Sequence, residues 1–183
     1  MPSATIPAMP GNTIEHTLDI ALAAVPAPRR ILDVGCGPGT LLRLLARRAP
    51  QAEALVGIDA AAEVVKAASA ATGLDPRIRY GNAFAEHLPF ADGGFDLVVS
   101  TASFDHWHDQ RQGLAECARM LVPGGTLVLS DAFSPLLGPS AWLRHRARTR
   151  GSADRLLTAV GFREPTWHAS LLTATVVATT QTA

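Results

Sequence analysis

A short apolar run, Ile31-Leu-Asp-Val34, passes directly into Gly35-Cys-Gly-Pro-Gly39 and then into residues 40–48, whose leucines recur at helical spacing. Glycine tolerates the positive φ that a tight reversal needs, so this stretch predicts a strand, a turn and a helix in immediate succession. The pattern then repeats. Apolar strand-like runs at 30–34, 54–58, 77–80, 96–100 and 126–130 are interspersed with helical patterns at 40–48, 61–72 and 110–121. Such alternation predicts βαβ units and a doubly wound, mostly parallel sheet with helices on both faces.

The flanks are less regular. Residues 1–12 carry Pro2, Pro7, Pro10 and Gly11 and are expected to form a loose arm. Ile14, Leu18, Ala21, Leu22 and Val25 predict a helix over 13–25 with Asn12 as its N-cap, stopped by Pro26 and Pro28. Pro123-Gly124-Gly125 marks a turn between the helix 110–121 and the strand 126–130. After Asp131 the periodicity weakens, and a helix resumes over 152–160, ending at Gly161. The β-rich segments 163–168 and 171–179 lie close enough to form an antiparallel hairpin at the sheet edge, which brings the sheet to seven strands. No internal repeat or composition break divides the chain, so residues 1–183 read as one domain.

Lys and Arg together number 16, as do Asp and Glu, so no global charge favours nucleic acid or an acidic membrane. Cys36 and Cys117 belong to no Cys or His ligand pattern, which argues against a disulfide framework and against a structural metal site. Glu15 and Asp19 interrupt the early residues, so no signal peptide is expected, and no uncharged run is long enough for a bilayer. The expectation is a soluble cytoplasmic protein.

In an open α/β sheet, ligands bind beyond the carboxyl end of the first strand. Here that end carries Asp33 and the glycine turn, and Asp59 closes the second strand, where a carboxylate can accept hydrogen bonds from ribose hydroxyls. Amides at the helix start are expected to be free for a carboxylate or phosphate. The spacing of Gly35, Gly37 and Gly39 is G-x-G-x-G, not the dinucleotide G-x-G-x-x-G. Asp33 would repel a pyrophosphate but would attract an ammonium and a sulfonium. The residues therefore favour S-adenosylmethionine over a nicotinamide cofactor.

The stretch Ile31-Leu-Asp-Val-Gly-Cys-Gly-Pro-Gly39 resembles the first motif of the class I S-adenosylmethionine-dependent methyltransferases. Val56-Gly-Ile-Asp59, Gly81-Asn-Ala83, Leu88-Pro-Phe90, Phe95-Asp-Leu-Val-Val-Ser100 and Arg119-Met-Leu-Val-Pro-Gly-Gly125 extend the likeness, which is strongest to the ubiquinone/menaquinone-biosynthesis-like subgroup and runs from about Arg29 to Asp131. The resemblance implies a Rossmann-like fold. It places Gly35, Cys36, Gly37 and Gly39 along the methionine part of the cofactor, with Asp33 near its ammonium. Asp59 would hold the ribose, Ala60, Asn82 and Ala83 would meet the adenine, and Ser100 would close the strand facing the sulfonium. The family usually has aspartate at the position of Asn82 and a larger apolar residue at that of Ala60.

Relatives often carry His-His-Trp or a similar run after the fourth strand, where this chain has Asp105-His106-Trp107. His106 is the candidate general base, because an imidazole can take a proton from a substrate hydroxyl or acidic carbon, with Asp105 orienting it or holding a cationic substrate. The alternative is that His106 and Trp107 pack the wall while Asp105 caps the next helix. Methyl transfer from a sulfonium can also proceed by alignment and exclusion of water alone. Residues 133–151 occupy the place where relatives have a substrate lid. Trp142 either covers the pocket or belongs to the core. Arg144, Arg146, Arg148, Arg150 and Arg155 either meet an anionic acceptor or form a solvated face. Trp167 and His168 read as structural. The function these features imply is methyl transfer to a small-molecule acceptor. A binding protein without catalysis and, less favoured, a nicotinamide-dependent oxidoreductase are the alternatives. So short a lid leaves the acceptor site open, and a second copy of the chain in a homodimer is one way to complete it.

Overall fold

A computed structural model describes residues 10–133, 149–169 and 173–182. The elements follow in the order α1 (Pro10–Ala24), β1 (Arg30–Val34), α2 (Thr40–Arg48), β2 (Ala54–Asp59), α3 (Ala62–Thr72), β3 (Ile78–Asn82), β4 (Phe95–Thr101), a 3-10 turn (Phe104–His106), α4 (Gln110–Met120), β5 (Leu121–Asp131), α5 (Arg150–Ala159), β6 (Arg163–Ala169) and β7 (Ala174–Thr179).

The strands make one seven-stranded sheet in the order β3-β2-β1-β4-β5-β7-β6. β1 pairs in parallel with both β2 and β4, and β7 runs antiparallel to β5 and β6. The α/β, doubly wound, mostly parallel sheet and its C-terminal hairpin are as the sequence predicts. The direction of winding reverses between β1 and β4, so a crevice opens beyond the carboxyl ends of these two strands.

Both faces are covered, and side-chain alternation along β4 shows how. Leu97 and Val99 join Leu18, Ala21, Leu42 and Leu45 beneath α1 and α2. Val98 points the other way and packs with Leu114, Cys117 and Leu157 beneath α4 and α5. Burying such fully enclosed side chains supplies roughly 1.5–3 kcal/mol each.

Several boundaries differ from the sequence reading. α1 begins at Pro10, so 10–12 belong to the helix and Asn12 is not its N-cap. Proline suits a helix start because the first turn needs no N–H there. α5 starts at Arg150, where Thr149 and Ser152 form a reciprocal capping box. β5 starts at Leu121 and carries Pro123-Gly124-Gly125 within it, with a register shift against β4 between Phe95 and Leu97. Of the two hairpin strands, β7 is an inner strand and β6 lies at the edge. Trp167 is structural, as expected: its ring meets Phe133 edge-on at 5.1 Å and its Nε1 donates to Asp154 at 2.8 Å. Of the expected lid, 134–148 with Trp142, Arg144, Arg146 and Arg148 lie outside the described residues.

Candidate functional site

The crevice holds a cavity of about 420 Å³ walled by the glycine turn, the end of β2, the loop after β3 and the loop after β4. Its floor is the turn itself. Gly35, Gly37 and Gly39 adopt φ of +77°, +52° and +73°, a region that favours glycine. The N–H groups of Gly35 and Cys36 both donate to the Ile58 carbonyl, at 2.7 and 3.0 Å, and Gly39 N–H donates to the Cys36 carbonyl at 3.0 Å. Gly37 N–H donates to Asp59 Oδ2 at 3.0 Å. The amides of the turn itself are thus committed within the protein. The first-turn amides of α2 are the ones that have no helical acceptor, and Thr40 and Leu41 of that turn reach the cavity wall.

Two carboxylates stand beside the turn. Asp59 accepts from Gly37 and, through Oδ1, from Ala61 N–H at 2.9 Å, so its side chain is held at the end of β2. Asp33 is 2% exposed. Burial, reinforced by the charge of Asp59, pushes its carboxyl up to about 7. Burial, with Asp33 and Asp59 nearby, also pushes the Cys36 thiol far up, which keeps it neutral and unreactive. A cation placed against Asp33 would stabilise its ionised form.

The β4 side is shaped by a local strain. Ala102 has φ of +53° and donates its N–H to the Ser130 carbonyl at 2.8 Å, turning the chain sharply off the strand. The 3-10 turn that follows puts His106 on the cavity wall. Trp107 is buried there, its Nε1 donating to Ser103 Oγ at 3.1 Å and its ring edge-on to Phe104.

The structure brings Asp33, Gly35, Cys36, Gly37, Asp59, Ala60, Ala83 and His106 to one cavity. It does not bring the other candidates there. Gly39 is backed by Tyr80, whose ring and hydroxyl fill the space a Cβ would take. Asn82 turns its Nδ2 to the Asp59 carbonyl at 2.8 Å. Ser100 is fully buried under the crevice. Asp105 lies off the cavity and donates its N–H to Asp131 Oδ2 at 3.2 Å. It does not cap the next helix, because Asp109 does, accepting Gln112 N–H at 3.0 Å.

Sequence reasoning missed Glu86, His108, Thr101 and Ser103, all of them wall residues. Glu86 carried a faint signal, since it stands between the Gly81-Asn-Ala83 and Leu88-Pro-Phe90 segments. Ser103 carried none. Among the described residues, no group of His, Cys, Asp and Glu is arranged for a metal ion.

Residues 32–129 match the family described as a methyltransferase domain. The demethylmenaquinone methyltransferase of Thermus thermophilus is 40% identical over 122 residues, covering 65% of this chain and 54% of that protein. The ajmaline N-methyltransferase of Rauvolfia serpentina is 30% identical over 148 residues, covering 79% of this chain and 48% of its own. The chain spans about half the length of the curated relatives it matches. A solved S-adenosylmethionine-dependent methyltransferase from Mesorhizobium loti has the same fold, with a TM-score of 0.75 at 21% identity over 93% of this chain and 100% of that one.

Proposed function

Because the chain belongs to the class I S-adenosylmethionine-dependent methyltransferases, we propose that it transfers a methyl group from S-adenosylmethionine to a small organic acceptor. One observation carries the donor assignment: a buried carboxylate, Asp33, stands beside Asp59 on a glycine turn whose amides are already used. A pyrophosphate would meet two negative charges and few free donors, whereas an ammonium and a sulfonium would be drawn in. The nicotinamide alternative loses on both counts. S-adenosylmethionine supplies the activated methyl group, and the chain supplies the alignment. In this reading Gly35, Cys36 and Gly37 lie along the methionine part and Asp33 meets its ammonium. Its carboxylate faces the start of α2, and Asp59 takes the ribose.

The acceptor approaches from the β4 side, where His106 is the candidate base on the cavity wall. Asp105, off that wall, keeps at most a supporting role through the turn it shares with His106. The relatives named demethylmenaquinone methyltransferase and ajmaline N-methyltransferase support a small acceptor here. Two buried free thiols, Cys36 and Cys117, support a reducing, cytoplasmic setting, and among the described residues no helix is long and apolar enough to cross a membrane. A homodimer completing the acceptor side is part of the same reading, and sedimentation of the purified chain tests it.

The test of function is S-adenosylhomocysteine release over a panel of phenols, hydroquinones, amines and thiols. Turnover with one acceptor class supports the reading. His106→Gln should then lower kcat by about 10²-fold or more. Full turnover by that variant at every pH would return His106 to a wall residue. Absence of methyl transfer across the panel, with the donor bound, would favour the binding-protein alternative.

A further inference from the structure

We propose that Glu86 is the residue that reads the base of the nucleoside, taking the amino group of adenine on its free carboxylate oxygen. The inference rests on the donor reading above. Glu86 is 7% exposed, lines the cavity, and is fixed in place because its Oε1 accepts the Asp109 N–H at 2.9 Å. Its Oε2 takes no hydrogen bond from the described residues. An enclosed carboxylate with one oxygen fastened and the other open to a cavity is an oriented acceptor for an N–H donor.

Position decides which part of the ligand it meets. Asp59 and Asn82 are register partners at the adjoining ends of β2 and β3. A nucleoside whose ribose sits at Asp59 can lay its base across the loop that follows β3, where Ala83, Phe84 and Glu86 form the wall. Phe84 meets His108 edge-on at 5.3 Å on the same wall, which adds an aromatic rim suited to a planar base. Adenine presents an exocyclic amino donor on its edge. Asn82 donates through Nδ2 to the Asp59 carbonyl and does not line the cavity, which leaves Glu86 as the carboxylate on that wall.

Calorimetry with S-adenosylhomocysteine and S-inosylhomocysteine tests the assignment, because the second replaces the amino donor with a carbonyl acceptor. The wild-type chain should bind the adenosyl compound roughly 10- to 100-fold more tightly, as expected for loss of a charge-assisted hydrogen bond and a repulsive contact in its place. Glu86→Gln keeps an acceptor for Asp109 N–H and can offer its own amide to the inosyl carbonyl. Its preference should fall to within about threefold. A ratio of two affinities on one protein is insensitive to the fraction folded. Equal binding of both compounds by wild type would overturn this inference alone. So would loss of discrimination in Asn82→Ala with none in Glu86→Gln. Binding of neither compound would overturn the donor reading and this inference with it.

Discussion

The hydroxyl of Ser103 occupies the space that a Cβ on Gly35 would need, so the loop after β4 closes onto the glycine turn only because position 35 has no side chain. The same hydroxyl accepts the Trp107 Nε1–H at 3.1 Å. The glycine turn and the loop after β4 are thus in direct contact through two small residues. Glycine at 35 is required by the protein's own packing as well as by φ.

Gly35 and Gly37 should therefore fail differently. Gly35→Ala puts a methyl group into Ser103 at φ +77° and should destabilise the fold by about 2–4 kcal/mol, read by urea unfolding. Ser103→Gly in the same chain should recover part of that loss. A Cβ on Gly37 meets no atom within 4 Å, at φ +52°. Gly37→Ala should cost only about 1–2 kcal/mol of stability while weakening S-adenosylhomocysteine binding by an order of magnitude or more. Equal stability losses for the two variants would contradict this division.

Gly113 offers a reversal of the ordinary helix rule. Alanine in place of glycine within a helix normally stabilises by up to about 1 kcal/mol. In α4, however, a Cβ at 113 would collide with the six-membered ring of Trp107. Gly113→Ala should destabilise by about 1–3 kcal/mol. The check is thermal unfolding alongside Gly151→Ala, where the nearest atom is an arginine nitrogen 3.9 Å away and no such loss is expected.

Asp33 makes stability and binding depend on pH in opposite senses. Its carboxyl stands at about 7 in the fold, above the ordinary value of 3.8, because burial disfavours the ion. The folded state therefore holds this proton more tightly than the unfolded chain does. That contribution to stability is full below about pH 4 and is lost as pH rises to about 7. Asp131, also raised by burial, acts in the same direction. The ammonium of the donor requires the ionised form, so affinity should fall by up to about tenfold per pH unit below 7. Asp33→Asn should bind weakly, lose the pH dependence of affinity, and keep only the part of the stability dependence that Asp131 supplies. Wild-type affinity that is flat between pH 5.5 and 8 would remove Asp33 from the ammonium contact.

Arg119 holds the loop after β3 to α4. Its guanidinium donates to the carbonyls of Leu88 and Phe90 at 3.0 and 2.8 Å and to Glu116 at 2.6 and 2.7 Å, while Glu116 accepts Leu88 N–H at 2.8 Å. Lysine cannot reproduce this planar fork. Arg119→Lys should destabilise by about 1–3 kcal/mol, and Arg119→Met by more, since it strands the buried Glu116 carboxylate. Denaturant unfolding of both variants checks the order.

The sheet was legible because apolar alternation along the chain is the same signal that buries both faces of the strands. Pro10 and Pro123-Gly124-Gly125 misled, since breaker residues at a helix start or at a strand irregularity look locally like loops. Within the site, Asp33, Gly37 and Asp59 could be read because their local spacing is the constraint. Gly39 and Asn82 could not, because Tyr80 and the Asp59 carbonyl reach them from β3 and β2. Ser103 becomes visible only when the loop after β4 is folded over the crevice, and Glu86, faintly marked in the sequence, gains its place on the wall only when the loop after β3 does the same.

The most direct test of the central claim is isothermal titration of the purified chain with S-adenosylmethionine, S-adenosylhomocysteine and NAD. Stoichiometric binding of the first two is expected, with dissociation constants of about 1 µM to 1 mM, and no measurable heat with NAD. Binding of NAD with no binding of either sulfur nucleoside would contradict it.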